Sequence, residues 1–344
     1  MQGKKRRGIH WFDPFGSVKF SDLCSDPLVP WDDKAVRFLF WDQEPLHKTL
    51  LDTTLKEFCN MYNGALNLVV SEKNSEFVEY ACKTYGFTSH YYFFHGWAAL
   101  DWYRGYNRSN LMTPPSKRII NKVLISPNRI IGGERSHRVL TLYHLFKNNF
   151  YEEHIGCPKI CPVEKIDILN IAKKFEIAYP DILEVFNKHK LPKNFADESD
   201  HPMHSYCLSL FKESSESLLY LVTETVADGQ RLHLTEKIFK PIALQMPFIV
   251  VGCQHSLKYL KEYGFKTFET LWSEDYDNEP NLNLRIEKII LELKKLKLLS
   301  KKELQDKFTE ALPIIKHNYK HFYSGSFERL LWKEMKTFLR ILKG

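Results

Sequence analysis

One stretch constrains the chain more than any other, Ser217 to Gly252, reading SLLYLVTETVADGQRLHLTEKIFKPIALQMPFIVVG. Leu218 to Val222 is an apolar run of strand length, followed by the polar Thr223-Glu224-Thr225 and a turn-rich patch around Asp228-Gly229. Thr235 has the chemistry of a helix cap, with Glu236 and Lys237 in the first turn behind it. Ile238, Ile242 and Gln245 recur at helical spacing, with Phe239 and Ala243 beside them. Pro247 stops that helix, and Phe248 to Val251 is a second buried strand ending at Gly252. Strand, helix and strand of these lengths predict a βαβ unit, with parallel strands and a right-handed crossover. Ligands of open α/β sheets bind at the carboxyl ends of strands, where helix N-termini point. Lys237 is therefore expected to face an anion.

The rest of the chain repeats the alternation. Val36 to Trp41, Leu66 to Val70 and His90 to Phe94 read as strands, separated by helices over Thr53 to Tyr62 and Ser75 to Tyr85. After Pro114-Pro115, the best linker candidate, Lys122 to Ser126 is a strand and Arg135 to Phe146 an apolar-periodic helix. Residues 151–215 read as two shorter helices with Pro-rich joints and no assignable role. Three helices close the chain, over Leu282 to Leu299, Lys301 to Tyr319 and Ser326 to Leu342. Residues 1–35 read as a loose entry segment. The pattern predicts an α/β fold of two Rossmann-like domains, 1–115 and 116–320, with a C-terminal helix over 321–344.

At 344 residues, two domains are the prior. A hydrophobic content of 44% with 14% aromatic residues belongs to a globular chain, not a disordered one. The formal net charge of +7 favours an anionic ligand but falls short of a dedicated nucleic-acid binder. Seven cysteines, odd in number and mostly inside apolar runs, point to reduced thiols and a cytoplasmic setting. The basic run Lys4-Lys5-Arg6-Arg7 has no long apolar segment after it, and no stretch approaches the ~18 apolar residues of a membrane span. A soluble unit is expected. P-loop, GxGxxG, GxSxG and HExxH motifs are all missing.

Thr235-Glu236-Lys237, followed by IFKPI and then MPFIVVG, resembles the nucleotide-sugar motif of the α1,3-fucosyltransferase family: TEK, a helix, then a Pro-led apolar strand ending in Gly. The stretches DQEP and HGWAALDWYRG are similar to glycosyltransferase-like proteins of phages and large viruses. The resemblance implies the two-domain GT-B architecture, its last helix crossing back onto the first domain through Phe327, Leu331 and Met335. It also implies inverting transfer of a sugar from a nucleotide donor, GDP-fucose in the family, to a glycan or other hydroxyl acceptor, with no metal required. Nothing in the residues specifies fucose. Eukaryotic members carry a membrane anchor that this chain is expected to lack.

Such a transfer needs cations for the leaving diphosphate and a base for the acceptor proton. Lys237 is the first phosphate candidate; an ammonium in a first turn opposes the helix dipole, which favours a ligand-facing role over a solvated one. By resemblance, Glu236 would contact donor hydroxyls. The loop and helix start from Asn128 through Arg129 to Arg135 and Arg138 match the family's second diphosphate contact, Arg138 best and Arg135 or Arg129 as alternatives. A guanidinium fork suits paired phosphate oxygens. Glu44, in DQEP, is the candidate base, although the family's usual Glu-Asn is here Glu-Pro; Asp42, His95 and Asp101 are alternatives on the acceptor side. Asp275-Tyr276-Asp277 has the DxD form of metal-dependent transferases but follows no buried strand, so it reads as a loop or helix cap, with Tyr276 placed by resemblance near the nucleotide base. His154, Cys157 and Cys161, with His201 and His204, have irregular spacing for zinc, and no metal site is expected. Two other readings stay open: a viral transferase acting on modified DNA bases, which the basic N-terminus suits, and a non-catalytic carbohydrate-binding protein of the virion or host interface.

Overall fold

The computed structural model of the protein describes residues 7–12, 36–41, 45–62, 65–108, 111–128, 135–156, 168–188 and 207–343. Its contacts divide the chain into two units: residues 1–97 with 229–233 and 329–344, and residues 98–228 with 234–328.

In the first unit, strands β1 (Arg7–Phe12), β2 (Val36–Trp41), β3 (Leu66–Val70) and β4 (Thr88–Tyr91) form a parallel sheet in the order β1-β2-β3-β4. β1 lies in the expected entry loop. It pairs with β2 from Arg7 opposite Val36 to Phe12 opposite Trp41. Alternation along β2 sends its side chains to opposite faces. Leu39 and Trp41 join Leu51, Leu55 and Phe58 of helix α1 (Lys48–Met61) and Ala81 of α2 (Glu76–Tyr85). Phe38, on the other face, packs with Val69 and with Phe338 of the C-terminal helix, Met335 beside them. The third expected strand ends early. Helix α3 (Phe94–Tyr103) has already begun at Phe94.

The second unit begins inside α3, earlier than the diproline at 114–115. The physical reason is anchorage. Tyr103 is fully buried and its carbonyl accepts from Tyr323 Oη at 2.9 Å. Arg118, just past the diproline, donates to the carbonyls of Leu244 at 2.7 Å and Gln245 at 2.9 Å. Residues 98–118 are thus tied into the second unit's core.

Strands β5 (Lys122–Ser126), β6 (His154–Ile155), β7 (Ser217–Thr223) and β8 (Phe248–Val251) form a second parallel sheet, ordered β6-β5-β7-β8. β7 is buried along its whole length, as a central strand covered on both faces must be. Helix α4 (Ser136–Lys147) follows β5; α5 (Ile168–Lys174), α6 (Tyr179–Lys188) and α7 (Phe211–Glu216) lie between β6 and β7. The crossover between β7 and β8 is shorter than periodicity suggests: a 3-10 turn, Glu236–Ile238, runs into α8 (Phe239–Ala243). Phe239 stacks with Phe322 and Phe327 at centroid distances of 5.7 and 5.2 Å. α9 (Ser256–Glu262), α10 (Leu282–Lys297), α11 (Lys301–Tyr323) and α12 (Ser326–Lys343) complete the chain. Among the described residues, no helix is long and apolar enough to cross a membrane.

Candidate functional site

The strand order of the second unit has a direction change. From β5 the chain steps outward to β6, then returns past β5 to β7 and continues to β8. A reversal of this kind opens a crevice outside the carboxyl ends of the two strands where it occurs, here β5 and β7. The loop after β5 delivers Pro127 and Asn128, and β7 delivers Thr223, Glu224 and Thr225.

These ends are locked together. Asn128, 1% exposed, accepts from Thr223 Oγ1 at 2.6 Å and turns its amide toward the carbonyls of Ser126 and Gly156. Arg138 of α4 donates to the carbonyls of Thr223 at 3.3 Å and Glu224 at 3.1 Å. His137 Nε2 donates to the Glu224 carbonyl at 2.9 Å. That bond fixes the tautomer with its proton on Nε2. Burial, with the Arg138 charge adding to it, pushes the His137 pKa down to about 3, so the imidazole is neutral.

Glu224, 0% exposed, extends the network into the TEK segment. Its Oε2 accepts from the Thr235 amide at 3.1 Å and from the Thr235 hydroxyl. Thr235 caps the 3-10 turn by accepting from the Lys237 amide. The Lys237 ammonium has three protons and three acceptors: Glu236 Oε1 at 2.8 Å, Thr225 Oγ1 at 3.0 Å and Thr235 Oγ1 at 3.3 Å. Its side chain stays 27% exposed, whereas that of Glu236 is at 6%. The expected first-turn lysine is therefore folded back onto its neighbours at the β7 edge, its side chain still partly exposed. At the start of α4, Lys174 bonds Ser136 Oγ at 3.1 Å and Asp228 Oδ2 at 3.0 Å. Arg135 is the residue before that helix, half-buried, and puts no side-chain cap on it.

Six of the residues singled out from sequence thus lie in this unit's carboxyl-edge segments: Asn128, Arg135, Arg138, Thr235, Glu236 and Lys237. Tyr276 does not present a ring to a nucleotide base. It is 2% exposed, in a 3-10 turn (Asp275–Asn278), with its ring in the core. Asp277 is a cap: its carboxylate accepts from the amides of Leu257 at 3.0 Å and Lys258 at 3.2 Å, at the start of α9. Asp101 is 77% exposed and faces Arg104 at 3.9 Å on the surface of α3, far from any strand end in sequence. His95 belongs to the first unit and sits in the first turn of α3, not in a loop after a strand; it is buried edge-on against His233 at 5.2 Å. Glu44 and Asp42 lie outside the described residues, as does Arg129.

The first unit also holds a buried ion pair. Arg231 Nη1 lies 3.3 Å from Glu72 Oε1, and Leu46 brackets the pair by donating its amide to Glu72 and accepting from Arg231. Ser75 Oγ donates to the other Glu72 oxygen at 2.6 Å. Among the described residues, no group of three His, Cys, Asp or Glu is placed to hold a metal. His154 instead contacts Glu216 at 3.2 Å, and Cys157, Cys161, His201 and His204 lie outside the described residues.

Sequence reasoning gave no site role to Thr223, Glu224, Thr225 or His137. The signal was present: a Thr-Glu-Thr tripeptide immediately after a fully apolar strand marks a polar strand end in a parallel sheet.

No family model matches the chain, and no curated protein matches it in sequence. Among solved structures, the chain is similar to one described as trehalose-6-phosphate from E. coli bound with UDP-2-fluoro glucose. The match has a TM-score of 0.41 and 12% identity, covering 86% of this chain and 68% of that one. A likeness at that level says nothing of its own about chemistry.

Proposed function

We propose that the protein is a glycosyltransferase that takes a nucleotide-sugar donor at the carboxyl ends of β5 and β7. The observation that carries this reading is Lys237, its side chain partly exposed beside the strand-order reversal and its ammonium held by three oxygen acceptors. A departing diphosphate needs that kind of placed cation. Arg138, recessed beneath the same edge, adds charge and fixes the strand-end carbonyls. The resemblance of the TEK segment to the α1,3-fucosyltransferases supports the same assignment and suggests GDP-fucose as donor.

In this reaction the acceptor hydroxyl oxygen attacks the anomeric carbon, and the bond from that carbon to the diphosphate breaks with inversion. The hydroxyl proton goes to a carboxylate, by resemblance Glu44. The negative charge collects on the diphosphate, where Lys237 and Arg138 take the part a metal plays in other transferases. Glu236 holds donor hydroxyls, and Arg135 is a second cation for the diphosphate.

The test is a thermal-shift panel of nucleotide sugars and nucleoside diphosphates, with and without magnesium, on wild type and Lys237→Ala. A ligand at about 100 times its Kd adds about 2.7 kcal/mol, a readily visible rise in Tm. A metal-independent shift with one nucleotide sugar, lost in Lys237→Ala, is the expected result. No shift with any nucleotide would overturn the reading.

A further inference from the structure

We infer that Glu224 is the positioning residue of the donor site, acting through the Thr235 hydroxyl on Lys237; this deepens the donor reading above and rests on it. The argument is one of proton direction. A threonine hydroxyl has one proton and two lone pairs. At Thr235 the proton is committed to Glu224 Oε2, so both lone pairs face the other way, where they accept from the Lys237 amide at 3.4 Å and the Lys237 ammonium at 3.3 Å. Were the hydroxyl to rotate, its proton would point at the ammonium and repel it. The Thr235 amide, donating to the same Glu224 oxygen, fixes the backbone from which the relay starts.

Glu224 also joins the second basic cluster to the first. Its side chain sets the TEK segment, while its carbonyl accepts from both His137 Nε2 and Arg138 Nη2. The residue is fully buried, so it acts on a ligand only through what it orients. A carboxylate placed at the end of a buried strand is costly to desolvate unless hydrogen-bonded. Here both bonds at Glu224 Oε2 come from Thr235, whose hydroxyl in turn accepts from the Lys237 ammonium.

The experiment is a double-mutant cycle on the full chain with Glu224→Gln, Thr235→Val and both together, with Thr235→Ser as the conservative variant. Two readouts are taken: the Kd for GDP and UDP by calorimetry, and the rate of Lys237 acylation by an amine-reactive ester, followed by mass spectrometry. Thr235→Val is expected to weaken nucleotide binding roughly tenfold, the effect of about 1.4 kcal/mol for a lost charge-assisted bond. It should also speed Lys237 acylation several-fold, and Thr235→Ser should restore both. Glu224→Gln should move both readouts in the same direction. If Glu224 acts through Thr235, the double variant loses no more than the larger single one. Additive losses, or Lys237 acylation unchanged in Thr235→Val and Glu224→Gln, would overturn the assignment. If wild type binds neither nucleotide, the donor reading falls, and the acylation cycle still decides whether Glu224 positions Lys237.

Discussion

Thr223 Oγ1 donates to Asn128 Oδ1 at 2.6 Å, joining the carboxyl ends of β7 and β5 across 95 positions of sequence. The bond ties together the two strand ends at which the strand order reverses. Both residues are buried, so removing one partner leaves the other unsatisfied.

Thr223→Val should therefore destabilise the protein by about 1–3 kcal/mol, the cost of an orphaned buried acceptor. Equilibrium urea denaturation should show a lower midpoint with an unchanged m value. An unaltered midpoint would mean that the two strand ends are held by other contacts.

His137 predicts a pH dependence with a definite sign. Its folded pKa of about 3 lies below the ordinary histidine value of 6.5. Between those values the unfolded chain binds the extra proton, so stability rises with pH across that window and is lost as pH falls through it. The slope from this residue approaches about 1.4 kcal/mol per pH unit within the window. His137→Gln, which keeps a side-chain donor for the Glu224 carbonyl, should flatten the profile between pH 4 and 6 on the order of that slope.

The Glu72–Arg231 pair offers a cycle of its own. Arg231→Met strands a buried carboxylate and should cost about 3–5 kcal/mol, whereas Glu72→Gln combined with Arg231→Met should recover much of that loss. Chemical denaturation of the two single variants and the double variant reads both. A small effect of Arg231→Met would show that Ser75 and the Leu46 amide suffice for Glu72.

Gly252 ends the apolar strand because there is no room for more. A Cβ there would lie 2.7 Å from Ser256 Oγ, whose hydroxyl is held by the Cys253 carbonyl, and 3.2 Å from Val250 Cγ1. Gly252→Ala should destabilise by about 1–3 kcal/mol through overpacking. Adding Ser256→Ala should return part of the loss, measured as a shift in Tm.

Periodicity in the sequence located the strands β2, β3, β5, β7 and β8 and most of the long helices, because alternation and helical spacing are local properties of a chain. It also found Thr235 as a cap and Lys237 behind it, since capping chemistry spans only a few residues. β1 was invisible, being a short strand in a segment rich in Pro and polar residues, recruited only by pairing with β2. Tyr276 was misplaced because an Asp-Tyr-Asp tripeptide looks the same whether its ring faces solvent or the core. Only packing put the ring inside and turned Asp277 into the cap of a neighbouring helix. Glu224 was legible as a polar residue after an apolar strand, but its role depends on bonds to Thr235, His137 and Arg138, the last two more than 80 positions away. Sequence determines which segments can be strand, helix or cap, through short-range sterics and hydrogen bonding. The tertiary structure alone decides which strand ends meet, and with them which side chains share a site, because that choice is made by burial between residues distant along the chain.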